Sequence, residues 1–355
     1  MMNIVPAGSN NQDLSITDLS HILETKLLGK SVGFAYVISY KEKFGTGSSG
    51  GFCRLQQDKP SRAMTIFEAY NCASVSKPIS AAALMLLLYK TDGVGLNSLM
   101  WNYLPSHWPK GTGIKTITFK ELLTHHSGFR TSARSYSDLK KLVAAGINSH
   151  DKEGEGSYNN SNYALLRLII PKLAKYPIAS LKGKTGIELV LGEPIQAQAF
   201  ADAYIDYLKK NLFDKVGSMF EVDCNQNGIE PPLFYSFTDQ TLKGKNMGDQ
   251  TLNAGSGGWV MSTAQMADFF RTLHHTEEIM KKSLSDRLIE EHLGYGIEKI
   301  EGLNCYYKSG LSSIDGRDFC SLTMGFENGI QFAMMSTSSL GLKHIAWDAF
   351  KDWYH

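Results

Sequence analysis

The segment NCASVSKPISAAALMLLLYK, residues 71–90, places a serine three positions before a lysine at the start of an apolar run that predicts a helix. Residues three apart share one face of a helix, so the Ser74 hydroxyl and the Lys77 amine can reach hydrogen-bonding distance. A lysine with a lowered pKa can then take the serine proton and create a nucleophile. The structural alternative makes Ser74 a helix N-cap and Lys77 a solvated side chain, and the spacing by itself does not exclude it.

Strand patterns lie towards both ends of the chain. Residues 13–28 have helical spacing, and residues 31–40 are rich in β-branched and aromatic residues, as in a strand. Near the other end, the strand patterns at 319–326 and 330–337 flank the turn sequence ENG, and residues 344–355 again predict a helix. Both ends are therefore expected to contribute to one antiparallel sheet that carries helices.

The middle of the chain changes to helical periodicity. The helical segments are 80–90, 118–126, 161–175, 200–213 and 263–275. We therefore predict an α/β plus α fold, in which an antiparallel sheet flanked by N- and C-terminal helices carries a large inserted all-helical domain. The predicted sheet domain comprises residues 1–73 and 295–355, the helical domain comprises 74–294, and the active site lies at their interface.

Charge and composition limit the classes of partner and the cellular compartment that we expect for this protein. The 36 basic and 35 acidic residues leave a formal charge of +1, which gives no general attraction to nucleic acid or to an anionic membrane. We find no apolar stretch of about 18 residues that would span a bilayer. The first residues have neither a basic nor an apolar leader region, and the odd count of five cysteines favours free thiols. These features favour the cytoplasm, or the periplasm or exterior if a signal peptide has been removed.

Five blocks follow one another in a recognisable order. They are ASVSKPISAAALMLLL (73–88), ITFKELLTHHSGF (117–129), YNNSNYALL (158–166), GSGGWVMSTAQMADFF (255–270) and YGIEKIEGLNCYYKSG (295–310). The series resembles the serine β-lactamase and penicillin-binding-protein superfamily, in the class C-like branch that includes D-alanyl-D-alanine carboxypeptidases and family VIII-type esterases. The resemblance covers most of the chain. It implies acyl-enzyme chemistry on a small-molecule substrate, with no cofactor and no metal.

The resemblance assigns the catalytic groups. It places the family's nucleophile on Ser74, its paired lysine on Lys77 and its Tyr-x-Asn motif on residues 158–160. Tyr158, between Lys77 and Lys308, is then expected to be favoured as a phenolate that takes the proton of Ser74 and later activates water.

The substrate-binding groups come from the same resemblance. Asn160 offers an amide to a substrate carbonyl, and the Lys-Thr-Gly motif falls on Lys308, Ser309 and Gly310 of an expected edge strand. Gly310 allows a close backbone approach. The oxyanion hole is expected from the backbone N–H groups of Ser74 and Leu311.

Some patterns are expected to be misleading. Lys184-Thr185-Gly186 matches the Lys-Thr-Gly motif letter for letter, but it lies among helices, and we interpret it as a helix-ending turn. Ser49, in GSSGG, is not followed by the apolar helix of a nucleophile elbow and is expected in a hairpin loop. His125 and His126 are expected in a structural turn below the site.

We therefore expect a serine hydrolase or acyltransferase that forms an acyl-enzyme at Ser74 on a small ester, amide or thioester, with esterase activity favoured. Ser309 replaces the family's threonine and keeps the hydroxyl, whereas Leu311 is bulkier than the residue common in β-lactamases. Residues 172–199 form a longer insertion than the family usually has. A class C-type β-lactamase or D-Ala-D-Ala peptidase is the first alternative, and an inactive penicillin-binding-type binding or sensor module is the second. The oligomeric state stays open.

Overall fold

The computed structural model describes residues 3–4, 14–154, 156–217 and 221–355. Its strands are β1 (Asn3–Ile4), β2 (Leu14–Ser15), β3 (Gly33–Tyr40), β4 (Lys43–Arg54), β5 (Arg62–Ala63), β6 (Ala69–Asn71), β7 (Val260–Ser262), β8 (Gly296–Ile300), β9 (Leu303–Ile314), β10 (Arg317–Phe326) and β11 (Ile330–Ser336). Its α-helices are α1 (Ile16–Leu27), α2 (Ser76–Tyr89), α3 (Phe119–Leu123), α4 (Tyr136–Ala145), α5 (Asn160–Ala164), α6 (Leu166–Leu173), α7 (Ile187–Asn211), α8 (Thr263–His275), α9 (Lys282–Glu290) and α10 (Leu342–Tyr354).

A seven-stranded antiparallel sheet joins the two ends of the chain. Its strand order is β5-β4-β3-β11-β10-β9-β8, so an early strand and the last strand pair at the centre, with Phe34 opposite Ser336. The turn 327–329 joins β10 to β11 where the ENG sequence predicts it. The predicted fold class, an antiparallel sheet with flanking helices and a mainly helical middle, is confirmed. The division into a sheet domain and a helical domain stays a prediction.

The sheet is buried on both faces, and successive side chains of β3 supply two different cores. Phe34 and Tyr36 pack into the core formed with α1 and α10, whereas Ala35 and Val37 face the larger core that contains α2. This division follows from the alternation of side chains along a strand. Helix α2 is buried along nearly its whole length, in keeping with its alanine- and leucine-rich sequence.

Two expectations about local structure are wrong. Ser49 lies inside β4, opposite Ala35, and not in a hairpin loop, because the glycine-rich stretch continues the strand. The Lys184–Gly186 turn starts a helix instead of ending one, since Gly186 immediately precedes α7. Helix α7 also extends well before the predicted 200–213. Among the helices that the structure describes, none has the length and apolarity needed to cross a membrane.

Candidate active site

Ser74 lies in a short helical turn, residues 73–75, which we call the serine turn. The turn connects β6 to α2, so Ser74 comes just before the helix and is not its N-cap. The side-chain oxygen of Asn71 accepts a hydrogen bond from the Ala73 N–H at 2.9 Å. Ala73 has a φ of 48°, a backbone conformation that a non-glycine residue adopts only when its surroundings impose it. Strained conformations of this kind cluster at functional sites.

Two side chains contact the hydroxyl of Ser74, one from the next helical turn and one from a segment distant in sequence. The Ser74 Oγ lies 2.9 Å from Lys77 Nζ and 2.7 Å from the Tyr158 hydroxyl. The structural alternative for Lys77 is thereby excluded, because this side chain is completely buried and not solvated.

The contacts of Lys77 determine which way its amine faces. Its Nζ donates to the side-chain oxygen of Asn160 at 2.9 Å and to the backbone oxygen of Ser256 at 2.7 Å. Both oxygens can only accept, whereas the third neighbour, the Ser74 hydroxyl, can donate. A neutral amine has two N–H groups and one lone pair, so this arrangement directs the lone pair at Ser74.

The electrostatic environment favours that neutral amine. The pKa of Lys77 is well below its usual value, chiefly because burial removes water from the ammonium and secondarily because Lys308 and Arg134 are positively charged. Lys77 is therefore suited to accept the proton of Ser74.

The pKa of Tyr158 is shifted in the opposite direction from that of Lys77. Desolvation raises the pKa of Tyr158, and this effect outweighs the stabilisation of the phenolate by the Ser74 hydrogen bond and by Arg134. This raised pKa favours the neutral phenol, whereas the sequence analysis expected the two lysines to favour the phenolate, and the role of Tyr158 stays a prediction. Lys77 and Lys308 do lie near the ring, at 4.9 and 4.6 Å from its centroid. The tyrosine is therefore arranged as a proton donor.

Strand β9 borders the site with the segment 308–312. Strand β8 pairs with β9 only as far as Tyr307, so this segment forms a local sheet edge next to the serine turn. A Cβ at Gly310 would stand 2.6 Å from the Cys72 backbone oxygen and 2.3 Å from Ser321 Oγ, so only glycine fits without displacement. Ser321 Oγ in turn donates to the Cys72 oxygen at 2.7 Å and ties the turn to the sheet. The close approach predicted for Gly310 is observed.

A cleft of about 610 Å³ opens beside Ser74. Tyr158, Asn160, Ser309 and Leu311 line it, and the start of α10 forms its far wall. Lys308 stands over the Tyr158 ring, and burial lowers the pKa of its amine to about 8. The Ser74 and Leu311 backbones both border the cleft, but their joint role as an oxyanion hole stays a prediction.

Two further residues lie close to the site: His125, which was expected only in a structural turn, and Arg134, which the sequence does not single out. The His125 ring packs against the Tyr158 ring at a tilt of 42°, with the ring centroids 4.6 Å apart, and its Nδ1 accepts a hydrogen bond from the Asn159 N–H at 3.2 Å. Burial and the two nearby lysines lower its pKa to about 3, so the ring is neutral. Arg134 borders the space around Ser74. The HHSG sequence drew attention to His125, whereas no local pattern marks Arg134.

The misleading patterns lie elsewhere. Lys184 pairs with Glu188 at 2.6 Å, and Ser49 Oγ donates to the Met64 backbone oxygen at 3.0 Å. Neither residue lines the cleft. Within the described ranges, no group of three or more His, Cys, Asp or Glu residues could hold a metal ion.

Comparisons with known proteins agree with this architecture. The family model described as Beta-lactamase matches residues 24–347. No curated protein sequence matches the chain. The fold is similar to three solved structures. An octameric penicillin-binding protein homologue from Pyrococcus abyssi is 17% identical, with 95% of this chain and 77% of that chain covered and a TM-score of 0.67. A D-amino acid amidase from Ochrobactrum anthropi SV3 is 16% identical, with 96% of this chain and 99% of that chain covered and a TM-score of 0.68. A beta-lactamase/D-alanine carboxypeptidase from Yersinia pestis is 14% identical, with 96% of this chain and 100% of that chain covered and a TM-score of 0.69.

The family match spans most of the chain, and the fold is similar to these structures along almost its whole length. The chain belongs to the Beta-lactamase family, within the superfamily of serine β-lactamases and penicillin-binding proteins.

Proposed function

We propose that the protein is a serine hydrolase or acyltransferase that forms an acyl-enzyme at Ser74 on a small ester, amide or thioester, with esters preferred. The observation that carries the proposal is the position of Ser74 Oγ, 2.9 Å from the amine of Lys77 and 2.7 Å from the hydroxyl of Tyr158. One neighbour is suited to accept a proton and the other to donate one.

Acylation then proceeds with a balanced exchange of protons. Ser74 Oγ bonds to the substrate carbonyl carbon while its proton passes to the neutral Lys77 amine. The backbone N–H groups of Ser74 and Leu311 hold the oxyanion. When the bond to the leaving group breaks, the leaving group takes the proton of Tyr158, and the proton on Lys77 replaces it.

In deacylation the proton transfers of the acylation step run in the opposite direction. A water molecule, or an acceptor alcohol or amine, attacks the acyl carbon, and the same pair of side chains removes its proton and returns one to Ser74 Oγ. Water gives hydrolysis, and another acceptor gives acyl transfer. Lys308 and Ser309 border the entrance and are proposed to bind the substrate together with Asn160.

The test combines covalent labelling with a substrate panel. Intact mass after incubation with a fluorophosphonate is expected to show one adduct, which is absent in Ser74→Ala and present in Ser49→Ala. An adduct that persists in Ser74→Ala would refute the assignment. Absence of any adduct in the wild-type protein would favour an inactive binding module.

The panel then separates the remaining reactions. It contains p-nitrophenyl esters, nitrocefin and D-alanyl peptides, because two structural neighbours are named as a D-amino acid amidase and a beta-lactamase/D-alanine carboxypeptidase. We expect the esters to be turned over fastest. Faster turnover of nitrocefin or of the peptides would instead support the β-lactamase or peptidase alternative.

A further inference from the structure

Helix α7 begins inside the insertion 172–199, and its inner face holds the first half of the helix against the rest of the protein. Gln196 is only 6% exposed and accepts a hydrogen bond from the Tyr136 hydroxyl. Glu193, on the same side of the helix, forms an ion pair with Lys140 of α4 at 2.5 Å. These contacts fix which face of the helix is directed outwards.

The outward face of this half of α7 is apolar. Four aliphatic side chains, which we call the outer stripe, are 62% to 72% exposed: Ile187, Val190, Leu191 and Ile195. Their spacing of three and four residues places them on one side of the helix, opposite Gln196. The first half of α7 therefore has one apolar face that the fold of the single chain leaves uncovered.

This exposure is unusual for a surface helix. The neighbouring helix α4 exposes Ser137, Asp138 and Lys141 instead, as expected for a face in contact with water. Four aliphatic side chains at the exposures of the outer stripe present roughly 500 Å² of contiguous apolar surface, and patches of this size on a monomer are often functional. The outer stripe is therefore a candidate interaction surface.

The arrangement of the outer stripe fits a second copy of this chain. A two-fold axis beside Leu191 would pair Ile187 of each copy with Ile195 of the other and would bring the two Leu191 side chains together. Lys184 and Glu188, beside the stripe, form an ion pair with each other at 2.6 Å, so they do not repel their counterparts in the other copy. The stripe is thus complementary to itself in an antiparallel helix pair.

The area of the contact is sufficient for a dimer. Two outer stripes together remove about 1,000 Å² of apolar surface from water, which is the least expected of a specific interface. Pro194 and Gln198 are exposed on the same face and add to this area.

We propose that the outer stripe is the interface of a homodimer, in which two α7 helices pack antiparallel about an axis beside Leu191. Residues 172–199, all of which the structure describes, do not line the cleft beside Ser74. We therefore expect Ser74 to react equally in the monomer and in the dimer. This inference is independent of the proposed function.

The first test measures the mass of the full chain in solution by sedimentation velocity at protein concentrations up to about 100 µM. We expect a species of twice the chain mass of 39.3 kDa. Leu191→Glu should weaken the dimer about a hundredfold or more, because it places two charges in the centre of the contact. Ile229→Glu is the matched control, because it makes the same change at a side chain that is 97% exposed outside α7.

Both substituted positions are exposed, so both variants are expected to fold and to be labelled at Ser74 like the wild-type protein. A wild-type chain that stays monomeric, or a dimer that Leu191→Glu leaves intact, would overturn the proposal. A monomer that binds phospholipid vesicles through the outer stripe would overturn it as well and would identify the stripe as a membrane contact.

The antiparallel arrangement has a separate test by disulfide crosslinking. The five native cysteines are all buried, so a cysteine added to the outer stripe is accessible to oxidation where they are not. In Leu191→Cys the two thiols lie at the axis, and the usual helix separation of about 8–10 Å permits a disulfide. In Gln198→Cys the two thiols would lie about 20 Å apart along the helices. We expect a covalent dimer for Leu191→Cys only; no crosslink there, or an equal crosslink in Gln198→Cys, would overturn the arrangement.

Discussion

Replacing Lys308 with methionine removes a positive charge beside the proposed base without shortening the side chain greatly. The Lys77 and Lys308 amines lie 4.9 and 4.6 Å from the centroid of the Tyr158 ring, so they are at most about 10 Å apart. At an effective dielectric constant of about 20, two like charges at this distance repel by about 1.7 kcal/mol, or about 1.2 pKa units. The pKa of Lys77 is thus expected to rise by about one unit in Lys308→Met.

The sign of the pH effect follows from the protonation of the base. Lys77 must be neutral to accept the Ser74 proton, so reactivity rises with pH through the pKa of Lys77 and is level above it. A higher pKa moves this rise to higher pH. Because the pKa of Lys308 itself is about 8, its charge is present below that pH, where the comparison is made.

The assay is the second-order rate of Ser74 labelling by a fluorophosphonate, followed by intact mass between about pH 5.5 and 9. It needs no knowledge of the natural substrate, and the pH at half-maximal rate is independent of an overall loss of reactivity. Lys184→Met is the matched control, because it removes the same charge from the look-alike motif. An unmoved pH midpoint in Lys308→Met, or an equal shift in Lys184→Met, would refute the reasoning.

Three further outcomes are expected. Tyr158→Phe should lower kcat by about a hundredfold or more at unchanged fold, as judged by circular dichroism and ester turnover, since it removes only the proposed proton donor; near-wild-type turnover would assign that proton to another group. Lys308→Ala should reduce kcat/KM strongly and Lys184→Ala hardly at all, and the reverse order would mean that the insertion forms part of the site. Gly310→Ala should lose activity and about 1–3 kcal/mol of stability in urea unfolding, because its Cβ would overlap the backbone before the serine turn. In the control Gly228→Ala, the new Cβ would meet nothing within 4 Å, so activity and stability should both be unchanged.

Local sequence determined most of the helices and strands and one proposed catalytic pair. The apolar segment 80–90 predicts the helix observed as α2, and the strand patterns near both ends predict strands that meet in the sheet. Ser74 and Lys77 are separated by one helical turn, so their 2.9 Å contact follows from helix geometry alone. The order of the blocks also separated Lys308 from the better-matching Lys184.

The tertiary structure decided the rest, because burial and distances between remote segments are not encoded in any short stretch. The pKa of Tyr158 depends on how much water the fold removes from its hydroxyl, and this desolvation raises the pKa in a way that no local pattern indicates. The contact of His125 with this ring and the position of Arg134 beside Ser74 both involve segments that are remote in sequence, and no local pattern predicts that they meet. The close approach of β9 to the serine turn at Gly310 is likewise set by the packing of segments that are remote in sequence.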